Sequence, residues 1–63
     1  DVGVGVAMLR SAALSARINV MINIKDIDDQ TYVTRTNEEV EDLVADIVKR
    51  SDYIYDEVFR RLR

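Results

Sequence analysis

Residues 1 to 24, DVGVGVAMLRSAALSARINVMINI, read as a helix that is apolar on nearly every side, with only Arg10 and Arg17 charged inside it. Such a helix has no solvent face and wants neighbours all round, as in the centre of a larger protein or in a membrane. The 63 residues of the chain are too few to surround it, because a chain of this size buries only about 60% of its unfolded surface on folding. The expectation is a piece of a larger helical domain, or a chain that associates with copies of itself.

Composition removes the other means of stabilising so short a chain. There is no Cys for a disulfide, and with no His either the preferred transition-metal ligands are absent, so no metal is expected. The net charge is −3, with Asp and Glu concentrated after residue 25. That disfavours nucleic acid as a partner, since such affinity rests on Lys and Arg. A membrane span needs about 20 consecutive apolar residues. Arg10 and Arg17 interrupt the run, and a central Arg costs about 2.5–3.5 kcal/mol on insertion scales, so no membrane partner is expected. The lack of Cys suits any compartment. No signal peptide is visible, so the cytoplasm is the default, and a start at Asp1 rather than Met leads to the expectation of a cut or processed beginning.

No Pro occurs anywhere and Gly only at positions 3 and 5, so nothing interrupts a helical reading. Asp1 can cap the first helix by accepting from free amides of the first turn. Glycines there cost about 1 kcal/mol each relative to Ala, which points to close approach of another backbone or ligand, with simple tolerance near a frayed start as the bland alternative. Small or polar residues recur every fourth position, at Gly3, Ala7, Ser11, Ser15, Asn19 and Asn23. A row at that spacing belongs to the commonest helix crossing, near −50°, and lets a second helix come close. For Ser11 and Ser15 packing is the favoured role. Asn19 and Asn23, one turn apart, carry amides that if buried must find partners or cost about 1–3 kcal/mol. They either bond across a helix interface or present amides to a ligand.

At Lys25-Asp26-Ile27-Asp28-Asp29 short acidic side chains favour caps and turns. A tight turn is expected there, with Asp28 capping a second helix and Asp29 and Gln30 in its first turn. The cluster Thr31, Val33, Thr34, Thr36 lowers helix propensity and leaves a continuous helix from about 29, which is favoured, or a restart near Asn37. From Val40 onward Val40, Val44, Ile47, Ser51, Ile54 and Val58 alternate spacings of four and three, and Leu43, Val48, Tyr55, Phe59 and Leu62 widen the stripe, so this face must be buried. The pairs Asp46–Arg50, Asp56–Arg60 and Glu57–Arg61 stand four apart in the favourable order, on a face read as solvated.

The expected fold is therefore all-α: an antiparallel hairpin with a helix over about 2–24, a turn over about 25–28 and a long helix over about 29–62. The whole of 1–63 is expected to form one hairpin that packs into a larger helical bundle or homo-oligomer. The second helix covers one side of the first, so further helices or copies of the chain must cover the rest.

Catalytic constellations are mostly missing. HExxH, P-loop and GxGxxG patterns do not occur, and Ser11 and Ser15 have no His to act as base. Asp26, Asp28 and Asp29 lack the Gly and distal Glu of a calcium loop. Tyr53 and Tyr55, two apart on a helix, point in different directions and form no joint platform.

The segment Asp1-Val-Gly-Val, then Ser15-Ala-Arg-Ile-Asn19-Val-Met-Ile-Asn23-Ile-Lys25-Asp-Ile-Asp-Asp29, followed by Tyr32, resembles the C-terminal part of the formimidoyltetrahydrofolate cyclodeaminases. That family includes bacterial methenyltetrahydrofolate cyclohydrolases. The resemblance implies an all-helical, usually dimeric enzyme. It closes 5-formimidoyltetrahydrofolate to 5,10-methenyltetrahydrofolate with loss of ammonia, or hydrolyses the methenyl ring, and needs no metal or redox cofactor beside its folate substrate. Asp1, Asn19 and Asn23 are the substrate-binding candidates it carries over. A carboxylate at a helix N-terminus suits a cationic amidine better than it suits proton donation, and an ordinary cap is the simpler role for Asp1. Catalytic residues are not assigned. The family's preceding helices, which would supply most of a folate cleft, are absent from this chain, so the chain alone is expected to be inactive. The competing reading is a non-enzymatic module in which the hairpin assembles into a bundle.

Overall fold

The computed structural model describes all of residues 1–63. Two helices, α1 (Val2–Ile24) and α2 (Gln30–Leu62), pack side by side, and there are no strands. The expected all-α antiparallel hairpin is what forms. Asp1 caps α1, its side chain accepting from the Val4 amide at 3.1 Å. α2 runs unbroken through Thr31–Thr36, because one β-branched cluster costs less than the cap before it and the apolar stripe behind it supply.

The turn ends one residue later than expected, and its cap is different. Asp29, in extended backbone, accepts from the Tyr32 amide at 3.1 Å. Asp28 therefore does not cap α2, and Asp29 is not in its first turn. Both carboxylates stand near the same dipole, and the one whose backbone leaves the helical region takes the cap.

The helices do not meet along the row of small residues. Of that row only Gly3 is buried, while Ala7, Ser11, Ser15, Asn19 and Asn23 are exposed. Instead α1 turns Gly3, Val6, Arg10, Ala13, Arg17, Val20 and Ile24 toward α2, every one buried or half-buried. Their spacing alternates three and four, the seam of helices lying nearly side by side rather than steeply crossed. On α2 the facing residues include Val33, Val40, Val44, Ser51 and Val58, while Ile47 and Ile54 slip to the flank at 39% and 40% exposed. Register is visible along the pair: Gly3 against Val58, Arg10 on Asp52, Arg17 on Glu41. A Cβ on Gly3 would stand 3.3 Å from Val58 Cγ1, whereas one on Gly5 would meet nothing within 4 Å. Close approach thus explains Gly3 only.

The molecule measures 52 × 15 × 11 Å with a radius of gyration of 15.0 Å, against about 11 Å for a globular chain of this length. Its least dimension is the diameter of one helix. It has no enclosed core, only a line of contact in which five of 63 residues are buried.

Candidate functional site

The three candidate residues all lie on α1 or at its start, and the helix separates them. Asp1 stands at the open end of the hairpin and Asn19 near the turn, about 27 Å apart at 1.5 Å per residue. Asn23 Nδ2 donates to the Asn19 carbonyl oxygen at 2.8 Å, a bond back into its own helix. Both asparagines are exposed, and neither bonds across to α2. Of the two roles open to them, bridging this helix pair is thereby removed. Asp1 and the asparagine pair do not converge on one reacting atom, and Asp1 Oδ1 is already engaged by the cap.

Around Asp1 a hollow of about 150 Å³ is floored by Gly3 and Val58 and walled by Tyr55 and Phe59. A second, of about 260 Å³, lies beside Arg10, Ser51 and Asp52. Both fall below the range of about 300–1,000 Å³ usual for small-molecule sites. A broader depression of about 450 Å³ over Gln30, Thr31, Thr34, Arg35 and Glu38 is the polar side of a single helix and includes none of the candidates. No cluster of His, Cys, Asp or Glu able to hold a metal ion forms. No helix is long and apolar enough to cross a membrane.

Several contacts were not anticipated from the sequence. Arg10 Nε donates to Asp52 at 2.9 Å and Arg17 reaches Glu41 at 2.6 Å. The charges that interrupt α1 therefore tie the hairpin together. Their seven-residue separation, one heptad, was the available signal. Asp46–Arg50 forms as expected at 3.1 Å, but Arg60 pairs with Glu57, so the Asp56–Arg60 and Glu57–Arg61 bridges do not form. Spacings of three and four are near-equivalent on a helix, and only one carboxylate can hold Arg60 in this way. Tyr55 stacks on Phe59 with centroids 6.5 Å apart, and the Arg63 guanidinium lies 5.2 Å from the Phe59 centroid. Tyr55 and Phe59 of this stack also line the Asp1 hollow.

Residues 1–42, all of α1, the turn and the first 13 of the 33 residues of α2, match the family model described as formiminotransferase-cyclodeaminase. Among curated proteins, formimidoyltransferase-cyclodeaminase of Gallus gallus is 44% identical over 46 residues. That stretch is 73% of this chain and 8% of the chicken protein, so the chain corresponds to a small part of its relative's length. No solved structure matches. The match covers the segment that carries Asp1, Asn19 and Asn23 and bears out the resemblance to the C-terminal part of the family: the chain belongs to the formiminotransferase-cyclodeaminase family.

Proposed function

We propose that this hairpin is the C-terminal helical portion of a folate one-carbon enzyme. The activity proposed is cyclisation of 5-formimidoyltetrahydrofolate to 5,10-methenyltetrahydrofolate with release of ammonia, or hydrolysis of the methenyl ring. The family match over residues 1–42 carries the reading. In the cyclisation a C–N bond forms from the second folate nitrogen to the formimidoyl carbon. The bond to the departing nitrogen breaks, and that nitrogen leaves as ammonia after taking a proton. Catalysis then rests on proton transfer at nitrogen and stabilisation of the amidine-like carbon.

Within this portion Asn19 and Asn23 are the proposed folate-binding residues. They are exposed on α1 and bond no residue of α2, and their amides both donate and accept. Asp1, engaged in its cap, organises the start of the helix. Catalytic acid–base groups would come from elsewhere in the larger helical domain, and the proposed compartment is the cytoplasm.

A chimera tests this directly. The matching stretch of the chicken enzyme is replaced by that of this chain, and cyclisation and ring hydrolysis are assayed. The chimera is expected to keep cyclodeaminase activity, and Asn19→Ala or Asn23→Ala in it to lower kcat/KM about tenfold, the worth of one lost hydrogen bond to substrate. A folded chimera without activity would reject the reading. A second reading, an assembly module without chemistry, is favoured by one observation: the face of α1 opposite α2 is apolar and uncovered, with Met8 68% and Val4 59% exposed.

A further inference from the structure

α2 covers the one side of α1 that carries charge. Arg10 and Arg17 are the only charged residues between Val2 and Ile24, and both lie in the contact line with their side chains 43% and 39% exposed. A helix so apolar offers other faces. Val4, Met8, Ser11, Ser15, Ile18 and Ile22 also follow threes and fours, and at 100° per residue that line runs roughly opposite the first. It bears no charge, yet its four large side chains are left 56% to 68% exposed. Because the Arg stems also cover apolar surface, the two lines offer comparable burial, and apolar area alone gives no reason to choose the charged one. That choice even carries a cost, since Arg17 Nε is buried and meets no acceptor.

The charged line offers two anchors in return. Gly3 against Val58 sets facing residues whose numbers sum to 61, which places Ser51 opposite Arg10 and Val44 opposite Arg17. Asp52 stands one residue beyond Ser51, away from the turn, and Glu41 three residues before Val44, toward it. The two ion pairs therefore lean in opposite directions along the axis. A slide of α1 either way stretches one of them, and a roll of α1 about its own axis breaks both. Each half-exposed pair is weak, but between two comparable faces of one helix a small difference decides. We infer that the Arg10–Asp52 and Arg17–Glu41 pairs select the face and register of α1, and that without them α1 rolls its uncharged line toward α2 and stays helical. The pairs act as a latch that keeps the uncharged line outward, although the apolar stripe of α2 could accept it.

A disulfide reads the register directly. A Cβ on Gly3 would stand 3.9 Å from Val58 Cβ, within the range of about 3.5–4.5 Å found across disulfides, and the chain has no Cys of its own. Gly3→Cys with Val58→Cys is expected to form an intrachain disulfide in dilute solution under a fixed glutathione poise. In that background Glu41→Arg with Asp52→Arg sets like charges against Arg17 and Arg10. The ratio of oxidised to reduced chain is then expected to fall about tenfold, with helicity by circular dichroism retained. Adding Arg10→Glu and Arg17→Glu rebuilds both pairs in reverse and is expected to restore the ratio. A disulfide that survives the first two charge changes overturns the inference, because apolar contact then holds the face unaided. So does one that the fourfold reversal fails to restore, because positions 41 and 52 then matter by shape rather than charge. If the first charge variant loses its helices, the fourfold variant decides alone: it must fold and crosslink, and failure to do so overturns the inference.

Discussion

Gly3 and Gly5 share one turn of α1, and the two differ in what stands over them. Replacing Gly5 by Ala puts a methyl into open space, so only the backbone term acts. Ala at a helical position is worth about 0.5–1 kcal/mol over Gly. Replacing Gly3 makes the same backbone gain. It also brings the new methyl to 3.3 Å from both Val58 Cγ1 and Asp1 Oδ1, so a β-branched side chain on α2 and the cap itself must give way. A shift of a few tenths of an ångström at the half-buried Val58 and the exposed Asp1 carboxylate offsets part of that gain. Gly5→Ala is therefore expected to raise Tm more than Gly3→Ala does. In a chain of this size about 1 kcal/mol corresponds to roughly 4–8 °C. Thermal unfolding followed by far-ultraviolet circular dichroism, with all three chains at one fixed concentration, reads the difference. Equal stabilisation by the two substitutions would refute the close approach of α2 to the start of α1.

The caps give a second contrast in chemical denaturation: Asp29→Ala is expected to cost about 0.5–2 kcal/mol and Asp28→Ala less than about 0.5 kcal/mol. A double-mutant cycle on Arg10→Ala and Asp52→Ala should give a coupling of about 0.2–1 kcal/mol that shrinks with added salt, as half-exposed pairs do; zero coupling at low salt would remove the pair as a fastener. Val44→Ala, in the contact line at 9% exposed, is expected to cost about 1.5 kcal/mol from two lost methyl equivalents. Leu43→Ala, one residue away and 63% exposed, should cost less than about 0.5 kcal/mol in the separated hairpin.

Helix extents were legible because Pro is absent and the apolar pattern is long, and the Asp1 cap because the run begins immediately behind it. The face of α1 that meets α2 was not. In a helix apolar all round, a row at every fourth residue and a seam of threes and fours are both available, and periodicity cannot rank them. Arg10 and Arg17 decide the matter, since their charged ends must leave the apolar face and reach Asp52 and Glu41. A partner in space, not a spacing in sequence, makes that choice. The cap at Asp29 rather than Asp28 depended in the same way on a backbone angle that two adjacent carboxylates do not reveal. As for the site, the segment Asn19-Val-Met-Ile-Asn23 with its turn was enough to place the family. The roles of its asparagines were not legible, because a helix that lacks its neighbours shows which side chains are free and not what they touch.

The most direct measurement is the mass of the 63-residue chain in solution by light scattering across a wide concentration range. A helix with an uncovered apolar face along its length is expected to associate, the mass rising above the monomer's 7.2 kDa as concentration increases. A helical chain that remains at 7.2 kDa at every concentration would contradict the claim that α1 is built to be packed on two sides.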